Sequence, residues 1–273
     1  MLRLSFAAVA ATASFAMPVA SQDAVEDLYD ALRLDDVIAV MREEGLDYAR
    51  DLETELFPGQ GGRAWASVVE EIYGRAVMQD GISATFAAEL DGAHVEPLLA
   101  FFASERGRRI VTLEIEARRA LRNEALETAA EARAREMRAE GDPRIDRLDA
   151  FVDANDLVEE NVVGALNSNY AFYQGLIDGG ALGDAPAQDE IVADVWSQEP
   201  EIRADTIDWV YGYLALAYEP LDDDDLDIYI ALSETPEGEA LNDALFAAFD
   251  TMYADISRQL GQRAAGFMIG EDL

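Results

Sequence analysis

The strongest constraint on this chain is that its apolar residues recur every three to four positions almost from end to end. Leu28, Leu32, Leu34, Val37, Ile38 and Met41 keep that spacing, and so do Val68, Val69, Ile72 and Tyr73. It returns in Leu98, Leu99, Phe101 and Phe102, in Leu157, Val158, Val162 and Leu166, and in Leu241, Leu245, Phe246 and Phe249. A helix of about 3.6 residues per turn gathers such positions on one face, whereas a half-buried strand needs alternation. Alternating runs are absent. Turn-forming clusters fall where helices should stop: Pro58-Gly59-Gln60-Gly61-Gly62, Asp91-Gly92, Gly141-Asp142-Pro143, Gly179-Gly180 through Pro186, and Glu219-Pro220. The pattern predicts an all-α protein of roughly eight to ten helices.

Such a chain must be held together by its core, because it has no cysteine and hence no disulfide or thiolate metal site. The N-terminus reads as a secretory signal peptide over residues 1–21. Arg3 supplies the charge, Leu4 to Met17 the short apolar run, and Val19-Ala20-Ser21 the small residues before a cut ahead of Gln22. The run is shorter than the ~20 apolar residues of a spanning helix, and charges interrupt every later apolar stretch. The expected localisation is periplasmic or secreted.

The formal net charge is −36. It is uneven: residues 1–147 carry 28 acidic groups and 17 arginines, and residues 148–273 carry 28 acidic groups and three arginines. There is no lysine. A field of this sign repels nucleic acid and anionic lipid, so neither is an expected partner. It leaves another exported protein or a cation as candidate partners, and it also keeps an exported protein in solution.

The segment from Arg108 to Glu140 reads as one long helix. Glu114–Arg118 and Glu131–Arg135 stand in the favourable i,i+4 order, and the part beyond Asn123 is polar nearly all round. Around it the chain appears twice. Leu28 to Ile38 reads like Leu148 to Val158 at an offset of 120, and Leu98 to Gly107 like Tyr229 to Gly238 at an offset of 131. The predicted organisation is a first helical repeat at 22–122, a charged connecting helix and turn at 123–147, a second repeat at 148–262 and a C-terminal tail at 263–273. The two repeats are expected to pack side by side and leave a groove between them.

Both repeats share a corner: Ser104-Glu105-Arg106-Gly107 and Thr235-Pro236-Glu237-Gly238. The hydroxyl can cap the next helix, Pro236 suits the first helical position, and each glycine falls where a side chain would meet the preceding helix. An apolar-aromatic helix, this corner and a second amphipathic helix resemble domain-of-unknown-function family 2059, as do the regions around Asp36-Val37-Ile38 and Asp156-Leu157-Val158. The first corner lacks the proline usual there, and Ser233 replaces a usual aromatic. The resemblance implies export and a helical fold, and it brings no catalytic residues with it.

No motif designates a chemistry. His94 is the only histidine and reads as a helix-end residue. Gly-x-Ser-x-Gly and phosphate-binding glycine loops are absent. Asp223, Asp225, Asp227 and Glu234 match positions 1, 3, 5 and 12 of a twelve-residue calcium loop. Ile228, however, stands where that loop needs glycine, so Asp223–Asp225 are expected to begin a helix instead. Tyr170, Phe172, Tyr173, Trp209, Tyr211 and Tyr213 favour the second half as the place for a pocket, although core packing explains them as well. No catalytic, cofactor-binding or metal-ligating residue is assigned. The expected function is a non-enzymatic interaction or scaffold module, with an acidic cation- or small-ligand-binding protein as the alternative. Intact-mass measurement of the protein recovered from the exported soluble fraction is expected to place its first residue within about two positions of Gln22; retention of Met1 on a cytoplasmic protein is the opposite outcome.

Overall fold

The computed structural model describes residues 22–183 and 187–270. The signal-peptide reading of residues 1–21 lies outside them. The described residues form an all-α fold with no strand. In chain order the helices are α1 (Gln22–Ala31), α2 (Leu34–Leu56), α3 (Gly62–Ile72), α4 (Arg75–Glu89), α5 (Glu96–Phe102), α6 (Glu105–Leu121) and α7 (Glu124–Glu140). They continue with α8 (Pro143–Ala154), α9 (Leu157–Asp178), α10 (Gln188–Ser197), α11 (Glu199–Tyr218), α12 (Asp223–Ser233) and α13 (Pro236–Ile269).

There are more helices than the spacing predicts, because several turns between them are too short to interrupt an apolar stripe. Arg33 (φ 53°) and Asp156 (φ 45°) each form a one-residue left-handed step between helices. That conformation is uncommon for a side-chain-bearing residue. At the first step it lets Leu32 and Leu34 both stay buried, while Arg33 itself is held by Asp36 at 2.8 Å and Thr112 at 3.1 Å.

The long helix expected over Arg108–Glu140 is broken after Leu121. Asn123 turns its side-chain oxygen back to accept from the Ala125 and Leu126 amides, starting α7 afresh. Nor does α7 cross solvent: it lies along α11, burying Ala134 and Met137. The expected Glu114–Arg118 pair is replaced by longer-range partners, described below. Glu131 and Arg135 do approach, at 3.9 Å, but Arg135 is closer to Asp208, at 2.6 Å. The turn at Gly141 is as anticipated, with Asp142 capping α8 and Pro143 opening it. Residues 143–147 therefore belong to α8 rather than to a connector. Residues 263–269, read as a tail, continue α13, because Ala264, Ala265 and Phe267 are buried.

Both Ser/Thr corners form as the sequence suggests. Ser104 accepts from the Gly107 amide at 3.1 Å and Thr235 from the Gly238 amide at 3.0 Å. A Cβ on Gly107 would stand 2.3 Å from the Phe101 carbonyl oxygen, and one on Gly238 would stand 2.1 Å from that of Leu232. Each corner is folded so tightly that only glycine fits.

The core crosses the midpoint of the chain. α13 packs against α9 and α4, while α6 packs against α11. Its residues Leu241, Ala244, Ala248, Met252, Ile256, Leu260 and Phe267 share one apolar cluster with α1 to α5. At its far end Phe267 sits with Phe57 and Trp65, ring centroids 5.3 and 5.5 Å away. A second cluster joins α6, α7, α8, α11 and α12, and a small third one holds α10 on α9.

The contact of α13 with α9 is made by glycines. A Cβ on Gly175 would lie 2.1 Å from the Arg258 carbonyl oxygen, and one on Gly261 would lie 2.2 Å from that of Phe172. Backbone cannot swing aside as a side chain can. Gly175→Ala and Gly261→Ala are each expected to cost about 1–3 kcal/mol in urea unfolding, the scale of overpacking. Gly81→Ala, in α4 with open space around it, should instead gain about 0.5–1 kcal/mol.

A candidate binding cavity between the two halves

Helices from both halves of the chain border a half-open cavity of about 560 Å³. Its walls come from both halves: α2, α5 and α6 on one side, α8, α9, α11, α12 and α13 on the other. Most of the lining is apolar, with Met41, Phe102, Leu214, Leu245, Phe246 and Phe249 contributing large surfaces. Trp209 and Tyr213 also line it, stacked at 5.3 Å with an interplanar angle of 6°. Tyr229 stands at the hub of the aromatic packing: its ring stacks on Phe101 at 5.7 Å and meets Phe151 at 4.9 Å.

A few polar groups face this space, and their partners are defined. Glu114 accepts a hydrogen bond from the Tyr218 hydroxyl at 2.7 Å, and the Tyr229 hydroxyl also favours its charged form. Burial pushes its carboxyl up to about 7, against the lowering effect of those two hydroxyls. Arg118, one turn on, gives Nε and Nη2 to the Glu44 carboxylate at 3.0 and 2.8 Å, so its charge is matched from α2. Its guanidinium also lies 6.0 Å from the centre of the Trp209 ring. Asp250 reaches in from α13, and burial raises its carboxyl too. Gly164 makes room for it: a Cβ there would stand 2.5 Å from an Asp250 carboxylate oxygen. Asn155 is buried and tied down, donating to the Phe151 carbonyl at 2.8 Å while its own carbonyl accepts from Asn242 at 3.0 Å.

The residues singled out in the sequence divide sharply. Trp209 and Tyr213 reach the cavity. Tyr211 does not: it donates to Asp149 at 2.6 Å and lies under the Arg138 guanidinium, 4.0 Å from the ring centre. Phe172 packs into the first core cluster, while Tyr170 and Tyr173 pack beside α10. His94 is half exposed and meets Glu237 at 3.0 Å, clasping the start of α5 to the start of α13.

The four consecutive aspartates begin α12, as expected, with Asp222 capping the Asp225 amide at 2.8 Å. Their charge is also met by arginines the sequence did not designate. Asp225 takes Arg106 at 2.5 Å and Arg109 at 3.2 Å, Asp223 takes Arg144 at 2.6 Å, and Asp227 takes Arg147 at 2.7 Å. A shallow depression of about 380 Å³ beside α8 contains Asp227 and Glu234, and Arg147 fills the cationic role there.

Sequence reasoning missed Glu114, Arg118, Tyr218, Tyr229, Tyr253 and Asp250. For Glu114 a signal existed. It follows Ile110 and precedes Ala117 and Leu121 along the buried stripe of α6, and a carboxylate inside an apolar stripe is costly unless partnered. No protein-family model, curated protein or solved structure shows a significant match to this chain.

The raised Glu114 carboxyl has a consequence for stability. The native state holds this proton above the ordinary carboxylate range, so the group costs nothing in acid. Its cost grows as pH rises from about 4.5 and levels off above about 7. Glu114→Gln keeps an oxygen for Tyr218 and removes the charge. It is expected to raise stability at pH 8 by roughly 3 kcal/mol, with the gain vanishing near pH 4.5 in thermal or urea unfolding.

Proposed function

We propose that the protein is a non-catalytic, exported binding protein that holds a small, largely apolar molecule between its two halves. The observation that carries this reading is the cavity. Its 560 Å³ lies within the roughly 300–1,000 Å³ of small-molecule sites, and an apolar wall with a few convergent polar groups is their usual make-up. Two of its charged groups are already engaged, Arg118 by Glu44 and Glu114 by Tyr218. That arrangement suits orienting a guest rather than transforming it. The charged outer surface and the expected signal peptide fit an exported carrier.

In the same reading the chain is two divergent tandem copies of one six-helix unit, α1–α6 and α8–α13, joined by α7. Three correspondences support it. α1 packs on α5 as α8 packs on α12, the two Ser/Thr-capped corners are alike, and a left-handed step opens α2 and α9 alike. Arg33 and Asp156 lie 123 residues apart, which favours that offset over 120 at the front of the repeat. The last helix of each unit packs on the fourth helix of the other, α13 on α4 and α6 on α11. The likeness to domain-of-unknown-function family 2059 belongs to this proposal, with each unit as one copy.

An interaction module is a second reading. α10 exposes Val192 and Trp196, one turn apart on the same face, with Trp196 60% exposed, and a partner protein would cover them.

The test of the cavity is titration of the mature protein with the neutral fluorophore N-phenyl-1-naphthylamine. One saturable site with energy transfer from tryptophan is expected. Ala165→Phe and Leu245→Trp, which fill the space from α9 and α13, should each weaken it at least about tenfold without lowering the unfolding temperature. Absence of saturable binding, or binding indifferent to both substitutions, overturns the proposal.

A further inference from the structure

Resting on the cavity reading above, we infer that the preferred guest is an organic cation: an amine or quaternary ammonium group carried on an apolar body. Three ionisable side chains of fixed sign line the cavity, Glu114, Asp250 and Arg118. Arg118 is neutralised from behind by the bidentate Glu44 pair, with Nε and one terminal nitrogen both spent on it. Glu114 is met by tyrosine hydroxyls, which donate hydrogen bonds and bring no charge. Asp250 forms no ion pair among the described residues. The cavity therefore carries an excess of acidic over basic groups that lack a counter-charge.

The remaining wall supplies the second half of cation recognition. Trp209, Tyr213, Phe246, Phe249, Tyr229 and Phe151 line the same space. The negative faces of aromatic rings attract a cation, most strongly when it is desolvated, and rings grouped around an ammonium are the known arrangement for holding one. A carboxylate guest would have to displace Glu44 from Arg118 and face Glu114 and Asp250 together. A neutral guest would leave the Glu114 site unpaired. The cation alone satisfies both the acidic and the aromatic parts of the wall.

The groups that face Glu114 are Tyr213 and Tyr218 of α11, Tyr229 of α12 and Arg118 of its own helix, with Glu44 of α2 acting through Arg118 and Asp250 of α13 sharing the cavity. The carboxyl that titrates near 7 must lose its proton to pair with a permanent cation, so acid opposes binding.

The test compares three probes by calorimetry on the mature protein: benzyltrimethylammonium, its uncharged carbon isostere neopentylbenzene, and phenylacetate. The ammonium is expected to bind at least about tenfold more tightly than the isostere at pH 8. Its affinity should fall by up to about tenfold per pH unit below 7, while that of the isostere stays flat. Glu114→Gln should cut the preference at pH 8 and remove its pH dependence near 7 while the isostere still binds, and Asp250→Asn should lower the preference further. The inference is overturned if the isostere or phenylacetate binds as tightly as the ammonium, or if Glu114→Gln leaves the preference intact. Failure of all three probes while N-phenyl-1-naphthylamine still binds also overturns it and leaves the cavity reading standing. Failure of the fluorophore as well overturns both.

Discussion

The architecture depends on how closely α13 can approach α9. With Gly175 and Gly261 facing the partner backbone, a Cβ at either position would fall about 2 Å from a carbonyl oxygen. At 34 residues α13 is the longest helix, about 51 Å from end to end. By lying flat on α9 it carries its other face into the core formed by α1 to α5. The protein is thus closed by a late helix that completes an early core, and its two halves cannot separate without exposing both.

α13 packs on α4 and α6 on α11, so helices from both halves of the chain border the cavity. The walls of the space are consistent with cores elsewhere, large apolar side chains in close contact. What differs is the presence of Glu114, Arg118 and Asp250. Burying them is unfavourable, and the protein offsets the cost locally with tyrosine hydroxyls, Glu44 and the room left by Gly164.

The surface follows a different logic. With a charge of −36, stretches such as Asp222–Asp225 would repel themselves if left alone. Arg106, Arg109, Arg144 and Arg147, all from the arginine-rich first part of the chain, fold over onto them. The charge asymmetry between the two parts of the sequence is therefore partly a complementarity. Most of these pairs are exposed and individually weak, but Asp225, with only 13% of its side chain exposed, bridges two arginines and the cap of α12.

The sequence by itself determined the class of fold, the two Ser/Thr corners with their obligatory glycines, and the helical start at Asp223. Each of these is written in local chemistry: a 3.6-residue period, a hydroxyl within reach of an amide, a β-branched residue where a loop would need glycine. Register is harder to read, because an apolar stripe shifted by three residues looks almost the same. The break at Asn123 was hidden in a run of good helix formers. Only the tertiary structure decided that Glu114 is buried against Tyr218 rather than paired with Arg118 four residues on, and that Arg118 turns to Glu44. It alone decided which aromatics reach the cavity and that α13 closes the core of the first half. Those outcomes depend on which helix faces meet across more than a hundred residues of chain, and no local preference encodes that choice.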